Sequence, residues 1–186
     1  MRIGFDFDGV LCLTPFGRLA VHPPGHVDPL PPDVEAFYAP DGDPGPLRLA
    51  IEYLRFVWRQ QSPEAPGVLH SLATEHELYI VTGRSRAGIG LVRGWLRRRG
   101  LDGCVRDIRM APPGLRTAQH KLATARMLGI DAHIDDDPRT AYYLAEHGLR
   151  VFLLDHANAR GDAPPPPNLT LVTSLQDFAE RLLVSA

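Results

Sequence analysis

The chain has 186 residues, 44% of them hydrophobic and 23% charged, a balance that excludes a disordered or fibrous protein. Its net charge of -2 argues against a dedicated nucleic-acid binder, because such proteins carry a large excess of lysine and arginine. Its two cysteines have no metal-binding or disulfide-framework spacing, and no apolar run reaches membrane length. We therefore expect a cytoplasmic protein that binds neither membranes nor nucleic acid. We expect it to be a monomer or a homodimer.

The first predicted element is a strand over residues 2–7, and the segment after it is irregular. Residues 12–62 are rich in proline, which prevents long regular elements over most of that length. A single helical pattern spans 47–61. It places these apolar residues on one face: Leu47, Ala50, Ile51, Leu54, Val57 and Trp58. We interpret 12–62 as a small inserted cap over the strand ends, and 1–11 with 63–186 as the core domain.

The remainder of the chain alternates between short apolar runs and helical patterns. Further strands are predicted over 78–82, 104–110, 132–135, 149–154 and 169–172. Helices are predicted over 85–100, 118–128 and 139–147, with a last one that starts at Ser174 and turns Phe178, Leu182 and Leu183 inward. This alternation is typical of an α/β, Rossmann-like fold, a mainly parallel sheet flanked by helices.

Two groups of acidic residues lie where predicted strands end, which is where open α/β sheets bind ligands. The first strand ends in Asp6, Phe7, Asp8 and Gly9, and alternation along the strand puts both carboxylates on one side. The 132–135 strand runs into three acids, Asp135 to Asp137. Alone, these groups could be a turn and a helix N-cap, the latter being our interpretation of Asp137. Together, their oxygen ligands favour a hard cation such as Mg²⁺.

Two further groups could bind an anion at the same edge of the sheet. Thr82, Gly83 and Arg84 offer a hydroxyl and backbone N–H groups just before a helix, and Lys121 near the start of a later helix offers a positive charge. Neither is specific by itself, since strand-to-helix turns and solvated lysines are common. The order of all four groups, each at the expected end of its element, favours one shared functional site.

The same four groups resemble the four sequence motifs of haloacid dehalogenase (HAD) superfamily hydrolases, in the family's order and across the whole core domain. The resemblance rests on residues 5–11, 81–84 and 134–138 together with Lys121. Within the superfamily the chain is most similar to the 5'(3')-deoxyribonucleotidase-like branch, through the Asp135–Asp136 pair and Asn158. The resemblance implies a HAD-like fold and a Mg²⁺-dependent phosphatase that acts on a small phosphate ester, which could be a nucleoside 5'-monophosphate.

The resemblance also implies catalytic and metal-binding roles. Asp6 would be the nucleophile that is transiently phosphorylated, and Asp8 the general acid and base. Mg²⁺ would be held by Asp6, Asp136 and the backbone carbonyl of Asp8. Asp135 would either orient Lys121 or a metal-bound water, or replace Asp136 as a ligand.

Phosphate and substrate contacts complete the implied site. Thr82, the N–H of Gly83 and Lys121 would bind the phosphoryl oxygens. Candidate substrate contacts are Arg84 and Arg86 beside the phosphate site and, within the cap, Phe16, Arg18, His22, His26, Phe37 and Tyr38.

Three other functions remain open at this point. A phosphotransferase or phosphomutase would pass the phosphoryl group to a sugar instead of to water. A non-catalytic domain that binds phosphorylated ligands would have no physical reason to keep both Asp6 and Asp8. A nucleic-acid 3'-end phosphatase is disfavoured by the net charge.

Overall fold

The computed structural model describes residues 1–13, 22–38, 45–57, 59–155 and 160–184. Its strands are β1 (Arg2–Phe5), β2 (Cys12–Leu13), β3 (Gln60–Gln61), β4 (Glu77–Ser85), β5 (Val105–Ala111), β6 (Ala132–Asp135), β7 (Arg150–Leu154) and β8 (Leu169–Val172). Its α-helices are α1 (Pro46–Val57), α2 (Ala65–Leu72), α3 (Ile89–Arg97), α4 (Thr117–Leu128), α5 (Pro138–Glu146) and α6 (Leu175–Val184). A 3-10 helix covers Val34–Tyr38. Within this part of the chain, no helix is both long and apolar enough to cross a bilayer.

Six strands form one parallel sheet in the order β5-β4-β1-β6-β7-β8. From the central β1 the chain builds outward on one side through β4 and β5, then crosses to build β6, β7 and β8 on the other. The strand order therefore reverses between β1 and β6, and open α/β sheets bind their ligands at such a reversal. The predicted α/β, Rossmann-like fold is confirmed.

The sheet is buried on both faces by helices. On one face Phe178 of α6 packs edge-on against Phe5 and Phe152, with ring centroids 5.6 and 4.9 Å apart. Trp95 of α3 belongs to the same cluster. The other face carries α4 and α5, whose buried residues include Leu144. Burial of each such large apolar side chain contributes roughly 1.5–3 kcal/mol to the free energy of folding, so this packing stabilises the strands that carry the site.

Most predicted elements are present, with shifted ends. Helix α2 was not predicted, although its buried Ala65, Val68, Leu69 and Leu72 have helical spacing. Asp137 is the N-cap of α5, as predicted, and accepts a bond from the N–H of Thr140 at 3.1 Å. The inward orientation predicted for Leu183 is wrong, since its side chain is 57% exposed. Consecutive residues point about 100° apart on a helix, and Leu182 takes the buried position.

The segment predicted to be inserted begins and ends near a short antiparallel pair of strands. Strand β2 pairs with β3, and Cys12 faces Gln61 in the register. The apolar face predicted for the helix over 47–61 is largely exposed, with Leu54 66% accessible. Its opposite side, which carries Glu52 and Phe56, packs towards the core. Trp58 lies outside the described residues, and the division into a 12–62 cap and a core stays a prediction.

Part of the proline-rich segment is attached to the core helices. The side-chain amide of Gln119 in α4 donates to the carbonyls of Asp28 and Pro29 at 3.1 and 2.9 Å. The hydroxyl of Tyr143 in α5 donates to the same Asp28 carbonyl at 3.4 Å. Hydrogen bonds from buried side chains to its carbonyls therefore attach this irregular backbone segment to the core helices.

Candidate active site

Three buried carboxylates meet at the ends of β1 and β6. Asp6 follows β1, and its N–H donates to the Ile134 carbonyl at 2.9 Å, which holds it level with the end of β6. One oxygen each from Asp6, Asp135 and Asp136 lies within 4.8 Å of the others. The structure thus brings Asp6 of the first motif together with Asp135 and Asp136 of the fourth.

Lys121 is the cation at the centre of this cluster. Its Nζ donates to Asp135 Oδ2 at 2.6 Å and lies 2.9 Å from Asp6 Oδ1. Burial would lower the pKa of Lys121, but the negative charges of Asp135 and Asp6 raise it above its ordinary value. The side chain therefore stays charged.

Asp135 is fixed through both of its oxygens. Oδ1 accepts the N–H groups of Asp136 and Asp137 at 2.9 and 3.1 Å, and Oδ2 accepts bonds from Lys121 and, at 3.2 Å, from Nε2 of His133. Burial would raise the pKa of Asp135, yet Lys121 and His133 hold it below its ordinary value. Of the two predicted roles, these bonds favour the one in which Asp135 orients Lys121.

Asp6 is in an environment that opposes its negative charge. Burial raises its pKa to about 7, against the opposing attraction of Lys121, and the charges of Asp135 and Asp8 add to the rise. A divalent cation beside Asp6 would restore the ionised form. The donor set consists only of oxygen atoms, which fits Mg²⁺, and Asp6, Asp136 and the Asp8 carbonyl are the residues that could hold it.

The phosphate-binding candidates lie where β4 meets the start of α4. Thr82 is buried, and its hydroxyl oxygen accepts the N–H of Arg84 at 3.3 Å. Gly83 packs so closely on α4 that a β-carbon there would lie 2.5 Å from Thr117 Oγ1. Lys121 is one helical turn beyond Thr117, so this contact brings the β4 end and the lysine helix together.

Asp8 is bound by two arginines, one of which was predicted to contact substrate. Arg84 Nε donates to Asp8 Oδ2 at 2.6 Å and Arg84 Nη2 to Oδ1 at 2.8 Å. Arg59 Nη1 lies 3.1 Å from the same Oδ1. The Arg84 side chain is only 1% exposed. The Arg84 guanidinium is therefore bonded to Asp8, and its predicted contact with substrate stays a prediction.

Some of the remaining substrate candidates make contacts within the protein, and others lie outside the described residues. Arg86 Nη2 donates to the Phe37 carbonyl at 3.5 Å, and its guanidinium lies 5.5 Å from the Tyr38 ring centre, which ties the 3-10 helix to the end of β4. His22 contacts Asp137 and His26 contacts Asp28, each at 3.4 Å. Phe16, Arg18 and Asn158 lie outside the described residues.

Sequence reasoning missed several residues that support the site. Glu52, Phe56 and Arg59 follow one another at helical spacings of four and three, a pattern that could have revealed a shared face opposite the apolar one. His133 precedes Asp135 by two residues on a strand, so the two side chains lie on the same side. Nothing in the motifs themselves pointed to either group.

Comparisons with known proteins support the fold. No protein-family model and no curated protein sequence matches the chain. Its structure is similar to a haloacid dehalogenase-like hydrolase from Streptococcus pneumoniae (12% identity, 97% of each chain, TM-score 0.62). It is also similar to a protein from Clostridium acetobutylicum described as a predicted phosphatase (15% identity, 98% of each chain, TM-score 0.62). A third similar structure is the L-2-haloacid dehalogenase RSc1362 (14% identity, 100% of this chain and 98% of that one, TM-score 0.56).

At these identities the likeness shows the fold, and that fold is the one shared by HAD-superfamily hydrolases. The narrower resemblance to deoxyribonucleotidases stays a prediction.

Proposed function

We propose that the protein is a Mg²⁺-dependent phosphomonoester hydrolase of the HAD type that works through an aspartyl-phosphate on Asp6. The observation that carries the proposal is the buried Asp6–Lys121–Asp135 chain beside Asp136, with contacts of 2.9 and 2.6 Å. A fold would gain little stability from so many buried charges, and such clusters are typical of functional sites.

In the first half-reaction a carboxylate oxygen of Asp6 attacks the phosphorus atom. The bond between phosphorus and the ester oxygen breaks, and the departing oxygen takes a proton from the Asp8 carboxyl to give a neutral alcohol. Lys121, the Thr82 hydroxyl and the Gly83 N–H stabilise the charge on the non-bridging oxygens.

In the second half-reaction Asp8, now ionised, accepts a proton from water. The resulting hydroxide attacks the phosphorus of the aspartyl-phosphate, the bond to the Asp6 oxygen breaks, and inorganic phosphate leaves. Each turnover returns Asp6 to its carboxylate and Asp8 to its acid form. Bound Mg²⁺ would offset the repulsion between the anionic nucleophile and the anionic ester.

The carboxyl of Asp8 and its arginines favour phosphate esters over the carbon–halogen bonds suggested by the dehalogenase among the similar structures. A halide leaves as a stable anion and needs no proton, so Asp8 would have no task in that reaction. An alcohol is a poor leaving group unless it is protonated. Halide release from 2-chloropropionate, measured beside phosphate release, distinguishes the two chemistries.

For the substrate we propose a small phosphorylated metabolite and place nucleoside 5'-monophosphates first in the test. This choice rests only on the resemblance of the Asp135–Asp136 pair and Asn158 to the deoxyribonucleotidase-like branch. A phosphotransferase or phosphomutase is the alternative, and a non-catalytic phospholigand-binding domain is the third candidate.

The test is phosphate release from nucleoside monophosphates and sugar phosphates, with and without Mg²⁺, by the wild type and by Asp6→Asn. We expect Mg²⁺-dependent release that falls by about 10³-fold or more in the variant, because the nucleophile is lost. Release that depends on an added sugar acceptor would favour the phosphotransferase. A folded protein that binds the esters but releases nothing would refute the proposal and favour the binding domain.

A further inference from the structure

The guanidinium of Arg84 is buried in a site that fixes its position from several sides. Its carbon lies 4.1 Å from the centre of the Phe56 ring and 5.5 Å from that of Phe7. Its Nη1 also donates to Glu52 Oε2 at 3.5 Å. Burial opposes its positive charge, but the bonds to Asp8 and the charge of Glu52 keep its pKa above the ordinary value. Its planar fork is therefore held in one orientation.

That orientation determines the orientation of the Asp8 carboxylate. Both Asp8 oxygens face the Arg84 fork at 2.6 and 2.8 Å, and a bidentate pair fixes the plane of the carboxylate as well as its position. A general acid or base acts only when its oxygen lies within hydrogen-bond reach of the proton it transfers. The Asp8 side chain is 27% exposed, so its oxygens can still meet a leaving group from the cleft.

Two of the groups around this pair come from the inserted segment. Glu52 lies on α1 and shares Arg84 with Asp8, while Arg59 lies just beyond α1 and contacts Asp8 directly at 3.1 Å. A β-carbon on Gly88 would lie 3.2 Å from Glu52 Oε2, so Glu52 is pressed against the turn after β4. A movement of α1 would therefore change the partners of Arg84 and Asp8 together.

We propose that Arg84 is the positioning residue of Asp8, and that Glu52 and Arg59 link this acid–base carboxyl to the inserted segment. The inference rests on the proposed phosphatase function and deepens it. Arg84 acts through Asp8 and does not touch the substrate. Through Glu52 and Arg59, this segment thus contributes to proton transfer.

The test compares two esters that differ in their need for a proton. p-Nitrophenyl phosphate has a leaving group that departs unprotonated, whereas an alkyl phosphate such as glycerol phosphate does not. The value of kcat/KM reports steps up to departure of the leaving group, so it isolates the acid role of Asp8. We expect Arg84→Gln to lower kcat/KM for the alkyl ester about tenfold or more beyond its effect on the aryl ester, and we expect the same pattern for Asp8→Asn.

Three further variants separate positioning from simple charge and from folding. Arg84→Lys keeps the charge but loses the fork, so it should not restore the alkyl ester rate. Glu52→Gln removes a counter-charge that helps to hold Arg84 in its orientation, so it should also lower the alkyl-to-aryl ratio, which keeps the inference testable if Arg84→Gln fails to fold. Arg93→Gln is the matched control, because Arg93 is exposed on α3.

Each outcome has a distinct meaning. An alkyl-to-aryl ratio that is unchanged in Arg84→Gln, or in Glu52→Gln if the former does not fold, would overturn the inference while wild-type activity upheld the phosphatase. A full rescue by lysine would also overturn it, because charge alone would then suffice. No release from either ester by the wild type would refute the proposed function and this inference with it.

Discussion

Gly9 and Asp136 touch so closely that a β-carbon on Gly9 would lie 1.5 Å from Asp136 Oδ2. The φ of Gly9 is also 82°, a conformation that other residues rarely adopt. Gly9 thus turns the chain after Asp8 and leaves room for a carboxylate from the neighbouring strand. The absence of a side chain at this position is what allows Asp6 and Asp136 to share one site.

The first prediction concerns Gly9→Ala. The added methyl group must displace Asp136, so we expect Mg²⁺ affinity measured by calorimetry to fall by about tenfold or more. Gly90→Ala in α3 is the matched control, because a β-carbon there has no neighbour within 4 Å. Equal Mg²⁺ affinity in the two variants would contradict the assignment of Asp136 as a ligand.

The second prediction concerns the contact between Gly83 and Thr117. In Gly83→Ala the new methyl group would lie 2.5 Å from Thr117 Oγ1 and 2.7 Å from Cγ2, so the β4 end and α4 must separate. We expect KM for the phosphate ester to rise and kcat to fall, because Lys121 moves with α4. Adding Thr117→Ala removes both atoms and should recover part of the activity. A double variant no better than the single one would show that the contact does not position the site.

The third prediction concerns the buried charge of Lys121. Replacement by methionine leaves Asp6 and Asp135 without their shared cation, which should lower the free energy of unfolding by about 3–5 kcal/mol. Urea denaturation without Mg²⁺ measures this loss. Asp135→Asn in the Lys121→Met background removes one of the unpaired charges, and stability should partly return. A double variant less stable than Lys121→Met would contradict this account.

The fourth prediction concerns pH and His120. Burial lowers the pKa of His120 to about 4, although its hydrogen bond to the Arg109 carbonyl opposes this shift. Because that carbonyl can only accept, Nε2 of His120 carries the proton. Its Nδ1 accepts a bond from the Tyr38 hydroxyl at 2.8 Å. The unfolded chain, with an ordinary histidine pKa, binds more protons between these pKa values, so stability falls as pH falls.

From pH 7 to pH 5 this one group should lower the free energy of unfolding by about 2 kcal/mol. Urea denaturation at both pH values checks the change. In His120→Gln that part of the pH dependence should vanish, whatever the variant's absolute stability. Equal pH dependence in wild type and variant would show that His120 is not the group responsible.

The sheet and the acidic cluster could be predicted because each follows from a local rule. Buried strands such as β6 appear as short apolar runs, and an acid directly after a strand must lie at the sheet's carboxyl edge. Asp6 and Asp136 were found in this way, and Lys121 through its place near the start of a predicted helix. The side chains of Asp6 and Asp136 converge because β1 and β6 are neighbours in the sheet. The alternation of strands and helices largely determines that strand order.

The partners of Arg84 and Asp8 could not be predicted, because they depend on contacts between distant segments. Glu52 and Arg59 are more than 40 residues from Asp8 along the chain. Helix α1 is amphipathic, and its pattern alone predicts that the apolar side faces inward. In the structure the side with Glu52 and Phe56 packs inward instead, and both side chains contact the buried Arg84 guanidinium.

The pairing of Cys12 with Gln61 bears on how such an enzyme could change its substrate. Opposite residues of an antiparallel pair lie about 4.5–5.5 Å apart, so the core chain closes at this point whatever the length of the segment between. A segment of another size could be grafted there without disturbing the spacing from β1 to α2. Under the proposed function, the graft would keep the phosphoryl chemistry only if it supplied new partners for Arg84 and Asp8.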